Sequence, residues 1–252
     1  MGFVSGIDYS GDTFYGMCSD SGSPNWGEWH YANKDIFVGF FKDGMRWRGT
    51  YNWNGGDYMS GEKFFKTKSK NDHNYDFFGR YTFEETGNSH IGYMLGSNLN
   101  GFGVLIWEKD PSQLDRQSEA GIFKSDDSGI FLNGYGVRTS NEIKYIGYWE
   151  KGAISNGDYY VIINDGDVTK YKQRNGVANG PFDMNRSDYS RYQNIMDFVD
   201  DGIDDLTSQM EEVDSYIEEY NFVKSEFTEA SENQYTEPSD SKSIKSDIGI
   251  VT

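Results

Sequence analysis

Cysteine is almost missing from this chain of 252 residues: Cys18 stands alone, which excludes an internal disulfide framework. Proline is scarce, at 4 residues, and strongly apolar aliphatic runs are missing. A conventional buried α/β core is therefore not expected. No apolar stretch approaches the length that spans a membrane as a helix. Basic residues are in deficit, 23 against 41 acidic, for a formal net charge of −18. That balance opposes binding to nucleic acid or to an acidic membrane. The one basic cluster, Lys63, Lys66, Lys68 and Lys70, shares its polar stretch with Glu62 and Asp72 and reads as a solvated loop.

Catalytic signatures are lacking as well. His30, His73 and His90 have no partner at metal-ligand spacing. There is no Gly-x-Ser-x-Gly, and no glycine-rich phosphate loop before a helix. Asp200-Asp201-Gly202-Ile203-Asp204-Asp205 does not have the spacing of a calcium loop. No cofactor and no metal is expected, and the chain does not read as an enzyme. With 41 acidic residues, carboxylate pairs of the glycosidase kind stay open. The opening MGFVSGIDYSGD has no basic region before an apolar run, and Gly6 stands where a myristoylation signal carries Ser or Thr. A soluble, cytoplasmic protein is the expectation. The triplet Asn185-Arg186-Ser187 is too common by chance to change that.

What is abundant is glycine, 30 residues, and aromatic side chains, 17%. They are ordered most clearly between Gly27 and Gly61. Gly27 is followed by Trp29, Tyr31, Phe37, Gly39 and Phe41, and Gly49 by Tyr51, Trp53, Met59 and Gly61. Within each set the residues lie an even number of positions apart. In an extended chain they share one face, because side chains alternate with period 2. Each half reads as a small hairpin with glycines and rings on one side.

The pattern propagates. Glycines at 16, 27, 39, 49, 61, 79, 92, 103, 121, 136, 147 and 157 step mostly by 10 to 12, with a few longer intervals. Two residues before alternate glycines stand Phe14, Phe37, Met59, His90, Glu119 and Tyr145; two after stand Cys18, Phe41, Lys63, Met94, Phe123 and Trp149. The other set is followed by Trp29/Tyr31, Tyr51/Trp53, Tyr81/Phe83, Leu105/Trp107, Arg138/Ser140 and Tyr159/Val161. Lys63, Glu119 and Arg138/Ser140 break the ring pattern beside the long intervals, where insertions or a shifted alignment would blur it. Cys18 occupies a ring position, which favours packing over nucleophilic chemistry. A repeat near 22 residues is within the range of known arrays.

Phe37-Val38-Gly39-Phe40-Phe41-Lys42-Asp43-Gly44 with Gly49-Thr50-Tyr51-Asn52-Trp53, and Tyr145-Ile146-Gly147-Tyr148-Trp149-Glu150-Lys151-Gly152, carry a resemblance. So does His90-Ile91-Gly92-Tyr93-Met94 leading to Gly101-Phe102-Gly103. The chain resembles the MORN (membrane occupation and recognition nexus) repeat family over about residues 8–165, in about six units. The resemblance implies stacked hairpins forming a scaffold, with partners such as a helix lying in the sheet groove. Lipid headgroups have also been proposed for the family, which the charge here opposes. A lone hairpin cannot bury its rings. Stacked hairpins can, each ring lying over a glycine of the next unit. Two inserts, 62–78 and 108–120, interrupt the array.

Near residue 185 the period changes. Met196, Val199, Ile203, Leu206, Met210, Val213, Ile217 and Tyr220 are spaced 3, 4, 3, 4, 3, 4, 3, a heptad seam. Acidic residues crowd the other faces. Residues 185–252 hold 17 acidic and 5 basic residues, a net of −12, which leaves −6 for the rest. One helix is predicted from about Ser187 to Glu226, with Gly202 as a weak point worth about 1 kcal/mol against Ala. Its seam could pair with a second copy as a coiled coil, fold back on the sheet, or meet another protein's helix.

The expected fold is mainly β: an elongated single-layer antiparallel meander of stacked MORN-type hairpins over 1–184, a helix over 185–228, and a flexible acidic tail over 229–252. The expected function is a non-enzymatic scaffold for protein–protein interaction. The candidate contact rings are Trp29, Tyr31, Phe37, Phe41, Tyr51, Trp53, Tyr81, Trp107, Tyr145 and Trp149. A carbohydrate-binding or glycan-processing β protein is the alternative, since exposed rings beside carboxylates suit sugars. A viral or cytoskeletal structural component is a further one.

Overall fold

A computed structural model of the chain describes residues 2–9, 11–65, 76–95, 98–107, 118–126, 129–164 and 166–234. The architecture is mainly β, an open antiparallel meander followed by one helix. The strands are β1 (Gly2–Tyr9), β2 (Asp12–Cys18), β3 (Pro24–His30), β4 (Ile36–Lys42), β5 (Met45–Asn52), β6 (Tyr58–Phe65), β7 (Asp76–Thr82) and β8 (Ser89–Leu95). They continue as β9 (Asn98–Ile106), β10 (Ser118–Asp126), β11 (Gly129–Ser140), β12 (Ile143–Glu150), β13 (Ala153–Ile154), β14 (Gly157–Ile163), β15 (Thr169–Arg174) and β16 (Val177–Phe182). Neighbours in sequence are neighbours in the sheet, except that the two-residue β13 turns back onto β12 and β14 takes the next place. Helix α1 spans Arg186–Gln234.

The glycine spacing becomes a line in space. Gly16, Gly27, Gly39, Gly49, Gly61, Gly79, Gly92, Gly103, Gly121, Gly136 and Gly147 are successive register partners from β2 to β12. Gly157, the last of the predicted series, is outside this line and pairs with Gln173. The reason for glycine is chiefly the backbone, not the rings expected above it. At Gly39, φ is +150°, and a Cβ there would overlap the Arg48 carbonyl oxygen and lie 2.7 Å from the Gly49 Cα. The strands cross too closely for any side chain.

This close approach bends the strands. Phe37 and Phe41 lie four residues apart on either side of Gly39, a span of about 13 Å in an extended strand. Their ring centroids are 5.2 Å apart, edge to face. Rows from both flanks of the glycine line close over the crease: Phe14, Phe37, Phe41, Tyr51, Met59, Tyr81, Phe123, Leu132 and Trp149 form one buried cluster. The row at the predicted ring positions also runs unbroken, from Phe14 through Trp29, Phe37, Tyr51, Met59, Tyr81, His90, Leu105, Glu119, Arg138 and Tyr145 to Val161. Glu119 and Arg138 are therefore in register, and no shift of alignment is needed there. They replace a ring pair with an ion pair, the Arg138 Nε donating to Glu119 Oε1.

Two expected boundaries move. The inserts 62–78 and 108–120 are strand at their ends, because β6 runs to Phe65, β7 begins at Asp76 and β10 begins at Ser118. Their centres, 66–75 and 108–117, lie outside the described residues, as do Lys66, Lys68, Lys70 and His73. The helix is longer than predicted. It begins at Arg186, passes Glu226 and takes in 229–234, which the sequence reading gives to the tail; 235–252 lie outside the described residues. At 49 residues it is roughly 74 Å long at 1.5 Å per residue.

Candidate functional site

The two faces of the sheet present different surfaces. On the creased face the ten candidate rings fall into two groups. Phe37, Phe41, Tyr51, Tyr81 and Trp149 are buried, their area already covered by one another. Trp29, Tyr31, Trp53, Trp107 and Tyr145 are half-buried along the margin of the cluster. Trp29 and Tyr31 stack at 6.2 Å, and Trp53 leans on Tyr81 at 5.2 Å.

Aspartates that the ring pattern did not single out clasp these units. Asp35 accepts from the Tyr51 hydroxyl at 2.8 Å and from the Asn54 N–H at 2.9 Å. Asp57 does the same for Tyr81 at 2.8 Å and Glu84 at 3.2 Å, and Asp12 for the Trp29 indole at 3.3 Å and Ala32 at 2.9 Å. Each sits four residues before a line glycine. That spacing was readable, but three aspartates among 41 acidic residues carry little signal. Burial, then the Asp57 carboxylate, raises the Tyr81 pKa. Arginines enter the rings too: Arg46 stands 5.0 Å over Tyr51, and Arg138 4.4 Å over Trp149 while donating to the Gly152 carbonyl at 2.9 Å. A register shift between Phe40 and Phe41 places Arg46 opposite Phe41, an event no spacing rule announces.

Two titratable groups are enclosed here. Burial pushes the Cys18 thiol up, away from the reactive thiolate. Burial lowers His90 to about 4, so its imidazole is neutral at pH 7.

The opposite face carries α1. The helix starts where Asn185 and Asp188 cap it reciprocally: the Asp188 N–H donates to Asn185 Oδ1 and the Asn185 N–H to Asp188 Oδ2, both at 3.0 Å. Lys170 on β15 donates to Asp188 at 2.6 Å, and together with the Asn185 N–H it holds that carboxyl below its usual range. The helix then crosses back over the sheet. Val199 packs among Val137, Ile146, Tyr160 and Ile162; Leu206, Met210 and Val213 pack on Phe78. Every predicted seam residue is buried or half-buried, and Ile195, which the seam omitted, is buried as well. The seam thus meets a sheet, where a coiled coil would meet a helix.

Toward its C-terminal half α1 reaches the first strands. Arg48 lies 3.6 Å over the Tyr216 ring and 3.5 Å from Glu212. Tyr220 packs edge-on against Trp26 and Phe40. Glu28 gathers the Lys224 ammonium, the Tyr220 hydroxyl at 3.4 Å and His30 at 3.2 Å. Burial alone would raise Glu28, but Lys224 and His30 outweigh it and hold the carboxyl low. His30 lies on this face, half-buried, with its ring edge-on to Tyr15.

Gly202 has a packing role that helix propensity does not show. A Cβ there would lie 2.5 Å from Cε1 and Cε2 of Phe102, so the helix lacks a side chain where a ring from β9 enters. Beside this contact is a cleft of about 320 Å³ lined by Tyr93, Phe102, Phe198, Asp201, Gly202, Asp205 and Leu206. A second, of about 440 Å³, lies between Tyr135 and the first turns of α1, where Ser187, Ser190, Arg191 and Asn194 line it. Outward, Asp197, Asp200, Asp201, Asp204, Asp205, Glu211, Glu212, Asp214, Glu218 and Glu219 are all exposed.

Among the described residues no three His, Cys, Asp or Glu side chains are grouped to hold a metal ion. No helix among them is long and apolar enough to cross a membrane. Comparison with protein-family models and with curated proteins returned no match.

Proposed function

We propose that this chain is a non-enzymatic, MORN-like scaffold for protein–protein interaction, working in the cytoplasm. One observation carries the reading. The apolar seam of α1 is spent inward on the sheet, while ten carboxylates of the same helix stand exposed as an acidic ridge in two groups, within 197–205 and 211–219. A sheet-backed helix keeps that ridge straight and fixed, which lowers the ordering cost of binding. The complementary partner is a protein with a basic segment, drawn by charge and weakened by salt. The half-buried rings Trp29, Tyr31, Trp53, Trp107 and Tyr145 offer a second contact surface on the other face.

Cross-linking mass spectrometry of the native assembly tests the reading. Links from residues 197–219 to a second protein, lost at high salt, support it. Links confined to residues within this one chain overturn it. A carbohydrate-binding reading draws on the cleft beside Tyr135, where an exposed ring adjoins hydroxyl, amide and guanidinium groups. Retention of one glycan class by the full chain, abolished by Tyr135→Ala, would favour it.

A further inference from the structure

Building on the reading that the acidic helix meets a basic protein, we infer that the cleft beside Gly202 receives an arginine side chain of that partner. The cleft measures about 320 Å³. That is the low end of ligand clefts, which run on the order of 300–1,000 Å³. It suits a side chain better than a cofactor. Its walls are the rings of Tyr93, Phe102 and Phe198, with Asp201 and Asp205 on the helix flank. Those two carboxylates are four residues apart and so lie side by side. Tyr93 is 48% exposed and Phe198 39%, a large solvent-facing ring area for one small site. Phe102 and Phe198 meet edge to face at 5.6 Å, which fixes the wall.

Rings beside carboxylates select a cation. Between cations they select the guanidinium, which is planar, stacks on aromatic faces and bridges two carboxylates. The molecule already uses this chemistry on the same helix. Arg48 stacks on Tyr216 at 3.6 Å while its Nη2 faces the Glu212 carboxylate at 3.5 Å. In the cleft the same components recur, and among the described residues lining it none is basic. The ten exposed carboxylates of α1 draw basic chains toward this flank.

The test uses the full chain and a short fluorescent peptide with arginines, its lysine counterpart serving as comparison, at low salt. The arginine peptide binds more tightly than the lysine one. Asp201→Asn combined with Asp205→Asn weakens it by about tenfold or more. Phe198→Leu weakens it several-fold while the chain stays folded, with at most a fall of a few degrees in melting temperature from the lost contact with Phe102. Glu218→Gln with Glu219→Gln, which removes the same charge elsewhere on the ridge, changes binding by less than about twofold. Equal losses in the two double variants, or equal binding of both peptides, overturn the cleft while leaving the acidic ridge intact. No binding of either peptide overturns both.

Discussion

On the creased face, Phe37 meets the Phe41 ring of its own strand and is the register partner of Tyr51 on the next; on the helix face, Glu28 is met by Lys224, 196 positions later. One face is closed by neighbours in sequence, the other by the end of the chain. The acidic groups of the creased face also find their partners within it, since Glu119 pairs with Arg138 and Asp35 accepts hydrogen bonds from Tyr51 and Asn54. The helix face keeps its charge on the outside. The first face builds the object and the second displays something on it.

The largest test of that contrast is at the glycine line. Gly39→Ala forces backbone apart at a crossing and should cost more than about 4 kcal/mol in denaturant unfolding, if the chain folds at all. Gly55→Ala, in a turn with open space around it, is the control and should stay within about 0.5 kcal/mol of the parent. A mild Gly39→Ala would mean that the crease is not what joins the two ring rows.

Acid should separate the faces in pH. His90 has its pKa depressed to about 4 in the folded chain by burial, against about 6.5 unfolded. The unfolded chain binds the proton first. The stability this contributes is complete above about pH 6.5 and is lost as pH falls toward 4, on the order of 3 kcal/mol in all. His90→Leu should flatten that part of the stability profile. Glu28 on the helix face is held low by Lys224 and His30, so its contribution persists above the ordinary carboxylate range and is lost only at lower pH. A His90→Leu profile parallel to the parent between pH 6.5 and 4 would remove His90 from the account.

The smallest effect is at Gly202. Helix propensity alone predicts that Gly202→Ala stabilises by about 1 kcal/mol. Crowding against Phe102 opposes this with about 1–3 kcal/mol, for a net loss or a null result. Phe102→Leu should relieve the crowding, so that Gly202→Ala gains stability in that background. A double-mutant cycle reads the coupling directly. Additive effects would mean that the helix does not lie on Phe102.

Much of the creased face was legible. A period of 2 around glycines recurring at 10 to 12 residues places rings and glycines on one side, and eleven of the twelve glycines proved to be register partners. What spacing could not give is why glycine is required. The answer is a carbonyl oxygen and a Cα on the next strand, which no residue type reports. Glu119 and Arg138 looked like failures of the pattern because a ring was expected at each; in space they satisfy one another. The half-buried rings could not be told from the buried ones, since both obey the same alternation. On the helix, the seam named the apolar stripe but not its partner, because spacings of 3 and 4 serve a helix lying on a sheet as well as one lying on a helix.

The sequence by itself determined the local elements: strands from alternation, hairpins from the recurring glycines and rings, a long helix from the seam, and the separation of charge between array and helix. Such features depend on residues a few positions apart, and the chain carries them wherever it goes. The tertiary structure alone decided which face α1 covers, that Phe102 enters at Gly202, and that Glu28 closes on Lys224. Those contacts join residues one to two hundred positions apart, and what selects them is the surface each face has left after its own strands have packed.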